Sequence, residues 1–422
     1  MKKRIYRAVC VNKISLETVR SRLEDRAVFG CDAARDGWVA AVMRPDGQVV
    51  QTVKWQLVPD HAAMLSLLEG LRDTGVTVEV AVEPTGTYAD PVVSQLRQAG
   101  FSVHRVSPKH SHDYSEIYDG VPSSHDGKSA AVVAKLHLEG KSRPWTEASE
   151  NQRSLRAMAN HMDWIGEDIK RYESRLEAVW SRHWPEILRL LSHGSATIRT
   201  VARDFGGPGA MACAARRARE TMRTTSRGKL GTAKIDAVIA SAKSSIGAPM
   251  LKAEQQLVQH IGAALCDLYA RKKKADEALE LATENMPSIQ SMATQVGKKT
   301  SAVLVSQLGE FSGYHSARGL QRAAGMNLRV RSSGKHKGKL KLTKRGPSIA
   351  RRWLFLAALR WIRQKPIVRA WYERKLSRNG GTKMKAIVAL MRKILAGMYH
   401  VARGAEFDLK KLFDVRGLVL QP

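Results

Sequence analysis

The sequence predicts an α/β plus all-α protein: a mixed sheet with helices at the N-terminus, then a long helical coiled-coil region, then a mostly helical C-terminal domain. Three observations predict it. Short apolar runs of strand length fill residues 27–106, separated by turn residues and helical patterns. Apolar residues at three- and four-residue spacing then dominate 148–185 and 250–282. Helical patterns continue after 283, interrupted by one lysine-rich alternating stretch. At 422 residues and 43% apolar content, the chain is long enough for two or three domains with real cores.

The elements follow in order. Residues 1–26 are polar, irregular or weakly helical, and read as a peripheral N-terminal extension. Three strands come next, at 27–33, Gly37–Met43 and Gln48–Leu57, the last two joined by the turn Arg44-Pro45-Asp46-Gly47. Asp60–Arg72 has helical periodicity, Val76–Val82 is a fourth strand, and Tyr88–Gln98 is a helix with Val92, Val93 and Leu96 on one face. Phe101–Val106 is a fifth strand and Asp126–Leu138 a third helix. The order β-β-β-α-β-α-β-α is that of an RNase H-like sheet and delimits a first domain at 27–147.

In the helical region, 148–282, the first stretch carries Leu155, Met158, Met162, Ile165, Ile169, Tyr172 and Leu176 at helical spacing, and the second carries Leu257, Ile261, Leu265, Leu268 and Tyr269. An antiparallel hairpin, an intersubunit coiled coil and an internal bundle all fit. Residues 190–249, rich in Arg, Ala, Ser and Gly and containing Arg216-Arg217 and Arg223–Lys229, read as an inserted helical subdomain without an assigned role. Residues 283–402 form the last compact domain and 403–422 a tail. Within it, the segments around Met286–Gly297 and Thr300–Leu308 predict helix, tight turn, helix; such a glycine turn can hold a phosphate or merely pack a hairpin.

Charge narrows the function. Seventy Lys and Arg against 39 Asp and Glu give a formal net charge of +31. A nucleic acid is the polyanion that best accounts for this excess. Neither an 18-residue apolar run nor a signal-peptide pattern is found, so no membrane span is expected. Cys10, Cys31, Cys213 and Cys266 are scattered, without a C-x-x-C pair, which argues against a zinc ribbon and fits a reducing cytosol. Aromatic content is only 6%, so base stacking is not expected as the main binding mode.

Three acids stand where phosphodiester chemistry would need them. Asp32 closes the run Val28-Phe29-Gly30-Cys31-Asp32, and Glu83 closes Val78-Glu79-Val80-Ala81-Val82-Glu83. Carboxylates at the ends of neighbouring buried strands can share a divalent cation, and Asp126 in the first turn of the third helix can face the same sheet edge. Two also have a purely structural account: Asp32 as a turn residue, Asp126 as a helix N-terminal acid favoured by the dipole; Glu83, ending an apolar strand before Pro84, has little structural purpose. His104, His110, His112 and His125 have no standard metal spacing. Far downstream, Arg329, Arg331, Lys335, Lys337, Lys339, Lys341, Lys344 and Arg345 occur in a segment without any acid, whose alternation suggests a loop or β-ribbon suited to phosphate contacts. Ser332-Ser333-Gly334 lies inside it; a serine there is a turn residue or, if activated, a nucleophile.

These motifs resemble the DEDD serine transposases of the insertion-sequence one-ten family, RNA-guided DNA recombinases, over nearly the whole chain. Gly30-Cys31-Asp32-Ala33-Ala34 is similar to the first acidic motif, Glu83-Pro84-Thr85-Gly86-Thr87-Tyr88 to the second, and Ser123-Ser124-His125-Asp126-Gly127-Lys128-Ser129-Ala130 to the third. Gly319-Leu320 to Gly325-Met326, Arg331–Lys335, Thr343–Gly346 and Ala350–Ala358 look like the serine-bearing C-terminal domain, with Lys383–Leu395 as its closing helix. The resemblance implies Mg²⁺ (or Mn²⁺) held by Asp32, Glu83 and Asp126, and a nucleophile at Ser333 that forms a phosphoserine link, with Ser332 the second choice. It adds Arg351 and Arg352 to the nucleic-acid contacts. It further implies donor and target DNA paired to a structured noncoding guide RNA, a homodimer or homotetramer in which domains of different protomers complete one active site, and a prokaryotic cytosolic, nucleoid-associated location. Two positions depart from the family. Ser129 stands where a fourth acid is expected, so that either three acids suffice, a neighbour such as Asp119 or Asp113 substitutes, or the enzyme is weakened, and Gln290-Ser291-Met292-Ala293 replaces glycines. Alternatives are therefore a metal-dependent junction nuclease without a covalent intermediate, and a catalytically impaired RNA- and DNA-binding relative.

Overall fold

A computed structural model of the chain describes residues 6–329, 332–333, 336–338, 340–414 and 416; Arg331, Lys335 and Lys339 lie outside the described residues. The chain divides into two compact units, residues 1–147 and 148–422.

The first unit is built on a seven-stranded sheet. Its elements are β1 (Val9–Cys10), α1 (Leu16–Arg20), β2 (Arg26–Ala33), β3 (Gly37–Met43), β4 (Val49–Gln56), α2 (His61–Asp73), β5 (Thr77–Glu83), α3 (Asp90–Gln98), β6 (Ser102–Val106), α4 (Pro108–Asp119), α5 (Asp126–Leu138) and β7 (Ser142–Pro144). Strand order is β1-β4-β3-β2-β5-β6-β7. The β2-β3-β4 meander is antiparallel, whereas β5 and β6 join through helical crossovers and run parallel to β2. This is the RNase H-like arrangement expected from the element order.

Burial explains the strand patterns. The central strands β2 and β5 are covered on both faces and read as nearly continuous apolar runs. On one face, α2 and α3 bury Met64, Leu68, Leu71, Val92, Val93 and Leu96 with Trp38, Trp55 and Phe29. On the other, α5 presents Ala130, Ala131, Val133 and Ala134 to Val28, Ala41 and Ala81. Small residues on both sides let the helix lie close. Gly30 is the tightest point: a Cβ there would stand 2.4 Å from Ala134 N and 2.6 Å from Ala130 O, both backbone atoms. Gly30→Ala is therefore expected to push α5 off the sheet and to destabilise the first unit by about 1–3 kcal/mol, measured as a fall in its melting temperature; an unchanged melt would show that the helix can shift freely.

Two parts of this unit differ from expectation. The N-terminal extension is not peripheral. It supplies the edge strand β1, parallel to β4, and buries Val11, Val19 and Leu23 in the core. Its apolar residues are spread among short elements, a two-residue strand and a five-residue helix, so no periodic signal marks them even where three are core. The helix α4 was also not expected, because Pro108-Lys109-His110-Ser111-His112-Asp113 shows no apolar stripe; among its residues only Ser111 is buried.

The second unit begins with α6 (Glu150–His183), whose return partner is α12 (Lys252–Ala282); between them lie α7 (Ile187–Leu190), α8 (Ala196–Phe205), α9 (Pro208–Cys213), α10 (Ala215–Thr225) and α11 (Thr232–Lys243). The α6–α12 pair is an antiparallel hairpin inside one chain: Tyr269 donates to Glu173 at 2.7 Å, and Arg182 pairs with Glu254. Its far end shares one core with α7–α11, through Trp180, Trp184, Phe205, Met222 and Val258. Its near end belongs to the other core, where Leu155, Met162 and Leu279 join the last helices. These are α13 (Pro287–Val296), α14 (Lys298–Leu308), α15 (Ala317–Ala323), α16 (Ser348–Gln364), α17 (Pro366–Arg378), α18 (Lys383–Val401) and α19 (Leu409–Leu412). The cores thus divide part-way along the hairpin rather than at residue 283. Gly297, between α13 and α14, has φ +85°, the tight turn expected there. Among the described residues no helix is long and apolar enough to cross a membrane.

Candidate active site

The acidic cluster follows directly from strand register. Asp32 and Glu83 are paired residues on the neighbouring parallel strands β2 and β5, at the same end of the sheet. Both are half-buried. Asp126 is the first residue of α5, which packs across β2 and β3 and so brings its N-terminus to that end. Gly127 fixes this end of the helix, because a Cβ there would stand 2.4 Å from the Tyr6 carbonyl oxygen.

Electrostatics confirm that the three acids share one neighbourhood. The Asp32 carboxyl is pushed up to about 6, chiefly by burial, then by the negative charges of Glu83 and Asp126; a hydrogen bond from Ser129 offsets part of this. Burial also raises Glu83, against the opposing influence of Ser111 and His112. Ser111 Oγ nonetheless makes no well-formed hydrogen bond, although it is buried. Asp32, Glu83 and Asp126 have no Lys or Arg partner among the described residues. In a strongly basic protein, three carboxylates without a counterion, two of them half-buried, form a locus prepared for a cation.

The donor chemistry fits a hard divalent ion. Oxygen ligands from one or two carboxylates, completed by water and substrate phosphate oxygens, are the usual Mg²⁺ environment. The geometry is open rather than caged: among the described residues no three His, Cys, Asp or Glu side chains already stand at metal-holding separation. An open edge suits an ion that a phosphate must help to complete.

A cleft of about 340 Å³ lies beside the acids, lined by Glu83, Ser111, His112, Glu116, Ser124 and Ser129, among others. Its walls come from α4, the 120–125 loop and α5, so the unexpected helix α4 contributes functional surface. Sequence reasoning also passed over Lys128. Its side chain is 1% exposed; Nζ pairs with Asp119 at 2.7 Å and donates to the Val121 and Ser123 carbonyls at 2.6 and 3.0 Å. One buried ammonium thus fastens the end of α4 and the following loop to α5. The available signal was a lysine on the otherwise apolar face of a helix. Asp119 is consequently engaged by Lys128, and exposed Asp113 by Lys109 at 2.5 Å, so neither is free to replace the missing acid. Ser129, three residues after Asp126, does face the cluster, but it binds Asp32 as a neutral donor. Of the four histidines, His112 approaches Glu83, His125 caps α5 by accepting from Lys128 N at 3.2 Å, and His104 stacks against His137.

The basic serine segment belongs to the second unit. It forms a nested antiparallel ribbon of two-residue strands: β8 (Leu328–Arg329) pairs with β11 (Lys341–Leu342), and β9 (Ser332–Ser333) with β10 (His336–Lys337). Ser333 stands opposite His336, and Ser332 opposite Lys337. Arg329, Lys341, Lys344 and Arg345 are exposed and have no acidic partner among the described residues. The base of the ribbon is clasped by glycines: a Cβ on Gly346 would stand 2.2 Å from Ala323 O, and one on Gly325 2.7 Å from Arg345 N. Arg351 and Arg352 are a different matter. Arg351 donates to the carbonyls of Ala324 and Gly346, while Arg352 pairs with buried Asp163 and with Glu167 on α6. Both expected nucleic-acid contacts are therefore half-buried and held by protein partners; they brace the ribbon and the α6–α16 packing.

Comparison with known proteins agrees with these two loci. A family model described as Transposase matches residues 29–185, and one described as Transposase IS116/IS110/IS902 family matches residues 289–373, so the matches contain both the acids and the serine ribbon. The chain belongs to the IS110 family of insertion-element transposases. It is 25% identical over 392 residues to the insertion element IS116 uncharacterized 44.8 kDa protein of Streptomyces clavuligerus, covering 91% of this chain and 96% of the relative. It is 21% identical over 394 residues to the insertion element IS110 uncharacterized 43.6 kDa protein of Streptomyces coelicolor, with the same coverage of 91% and 96%. An IS110-family transposase acts on DNA, and its RNase H-like domain is of a kind that generally depends on divalent metal.

Proposed function

We propose that this IS110-family transposase is an RNA-guided recombinase that cuts and rejoins DNA through a phosphoserine at Ser333, with Asp32, Glu83 and Asp126 holding Mg²⁺ or Mn²⁺. The observation that carries this reading is the pairing of Asp32 with Glu83 at one sheet edge beside Asp126, without a protein counterion. A bound divalent ion would neutralise these carboxylates and polarise the phosphate under attack. Ser333 Oγ would attack the phosphorus; an O–P bond to the serine forms, the bond to the departing DNA oxygen breaks, and the serine proton passes to a base while the departing oxygen takes one up. Rejoining reverses these changes with a different DNA end. Arg329, Lys341, Lys344 and Arg345 would place the phosphate and stabilise its charge. Arg331, Lys335, Lys337 and Lys339 belong to the same proposed surface. Donor and target DNA, a structured guide RNA and a homodimer or homotetramer complete the proposed assembly.

The experiment is to express the full chain with its flanking element DNA, purify it, and sequence the RNA that accompanies it. One abundant structured RNA, required together with Mg²⁺ for donor–target strand exchange by the purified protein, is the expected result. Exchange that proceeds equally without any RNA would remove guidance from the reading; cleavage without a denaturation-resistant protein–DNA adduct would favour the metal-dependent junction nuclease, and no exchange at all the impaired RNA- and DNA-binding relative that Ser129 at the fourth acidic position suggests.

A further inference from the structure

The proposed chemistry leaves the inserted subdomain unused, although it carries a clear excess of cations. From Pro208 to Lys243 the sequence holds eight Lys and Arg against two acids, Glu220 and Asp236. One of those acids is already occupied, since Asp236 pairs with Arg219.

The fold collects this charge on one surface. The helix α10 turns Ala218 and Met222 into the core shared with α8 and α11. Its other side carries Arg216, Arg219 and Arg223, spaced by three and four residues and all exposed. The stripe continues past the helix end through Arg227 and Lys229, also exposed. Arg216, Arg223, Arg227 and Lys229 have no ion-pair or side-chain hydrogen-bond partner among the described residues. Arg217 lies 5.7 Å over the buried Phe205 ring and covers the side of the helix. Glu220 is the single acid on this face.

The turn at the end of α10 is itself unusual. Arg227 has φ +52° and Gly228 φ +73°. A left-handed arginine costs about 1 kcal/mol where glycine would cost nothing. Hydrogen bonds hold it: Gly228 N donates to Arg223 O at 3.0 Å and Ser226 Oγ accepts from Leu230 N at 3.3 Å. The result is a rigid corner that presents Arg227 and Lys229 beyond the helix.

We infer that the α10 stripe and its terminal corner, Arg216, Arg223, Arg227 and Lys229, form a second nucleic-acid surface that docks the phosphate backbone of a DNA duplex. Charge complementarity names the partner: four unpaired cations in a row suit a phosphate row and release its counterions. Geometry favours a duplex over an unstacked strand. Arg216 and Arg223 are about 10 Å apart along the helix, close to the roughly 12 Å width of the B-DNA major groove. No aromatic residue occurs from Pro208 to Lys243, so the surface offers no platform for unpaired bases. Such contacts fix position without reading sequence. The groove width that the stripe matches is that of B-form DNA, and the inference depends neither on Ser333 nor on the metal.

The test uses the full chain, 30-base-pair DNA and RNA duplexes and a 30-nucleotide single strand, with affinity measured across a salt series. R216Q/R223Q/R227G/K229Q removes four charges from exposed positions, and glycine at 227 relieves the left-handed arginine, so the melting temperature should hold. The expected result is at least a tenfold rise in Kd near physiological salt and a fall of about 2–3 in the log–log salt slope. A charge-matched variant of the first unit, R22Q/K54Q/R97Q/R143Q, should change the slope by less than one. Loss on the DNA duplex at least as large as on the RNA duplex supports the inference. Unchanged slopes on DNA, an equal loss in the charge-matched variant, or loss confined to RNA or to single strands would overturn it.

Discussion

Ser333→Ala is expected to abolish both the covalent protein–DNA adduct and strand exchange, while leaving DNA binding within about twofold. Removing a nucleophile typically costs on the order of 10⁴-fold or more, because no other group supplies the bond that forms. The flanking cations argue for unchanged binding: Arg329, Lys341, Lys344 and Arg345 are exposed on the ribbon and untouched by the substitution. The adduct is read by denaturing electrophoresis of labelled DNA, where a phosphoserine link survives and a bound complex does not. Ser332→Ala serves as the comparison, since Ser332 is next in the same short strand, opposite Lys337. It should retain the adduct. If Ser332→Ala loses it and Ser333→Ala keeps it, the nucleophile is Ser332. If neither variant changes strand exchange, no serine intermediate exists and the junction nuclease is the better account.

How far the sequence disclosed this site depended on the physics that places each residue. Asp32 and Glu83 were legible because each terminates an apolar run, and a sheet buried on both faces needs such runs; adjacency of β2 and β5 then brings them together. Asp126 was legible as the start of an amphipathic helix. The wall of the cleft was not, because α4 packs through only Tyr114 and Tyr118 and its first two turns carry no apolar periodicity. Lys128 left only a faint mark, a lysine among apolar helix residues; nothing in the sequence distinguishes a cation satisfied by Asp119 and two carbonyls from one at the surface. The same ambiguity affected Arg351 and Arg352, which count toward net charge but are engaged inside the fold. Charge in the sequence reports how many cations exist; only packing reports which of them are free to meet a phosphate. Edge strand β1 shows a further limit, since two residues of ladder carry no pattern at all.

Asp32→Asn is expected to separate catalysis from stability in opposite directions. Strand exchange should fall by roughly a thousandfold or more, as several kcal/mol of metal-assisted charge stabilisation is lost at about 1.4 kcal/mol per tenfold. The metal-free fold should instead gain stability at neutral pH. The sign follows from the raised carboxyl, about 6 in the folded protein against an ordinary 3.8. A group held higher in the folded state favours folding fully below pH 4, and that contribution fades as pH rises through 6. At pH 7–8 ionised Asp32 is therefore a liability, worth about 1–2 kcal/mol after allowing for its partial exposure. The asparagine variant does not carry it. In EDTA, denaturant unfolding of the first-unit transition should show the variant more stable than wild type at pH 7.5 and the difference gone at pH 4. Adding Mg²⁺ reverses the ranking, because binding to the folded wild type stabilises it by mass action, whereas the variant has lost one of its ligands. A wild type that does not respond to Mg²⁺ or Mn²⁺, or a variant that responds equally, would place the ion elsewhere. Equal stability of both proteins in EDTA at pH 7.5 would mean that the acids relax apart without metal, and that the cluster is assembled by the ion and its phosphate rather than held ready by the sheet.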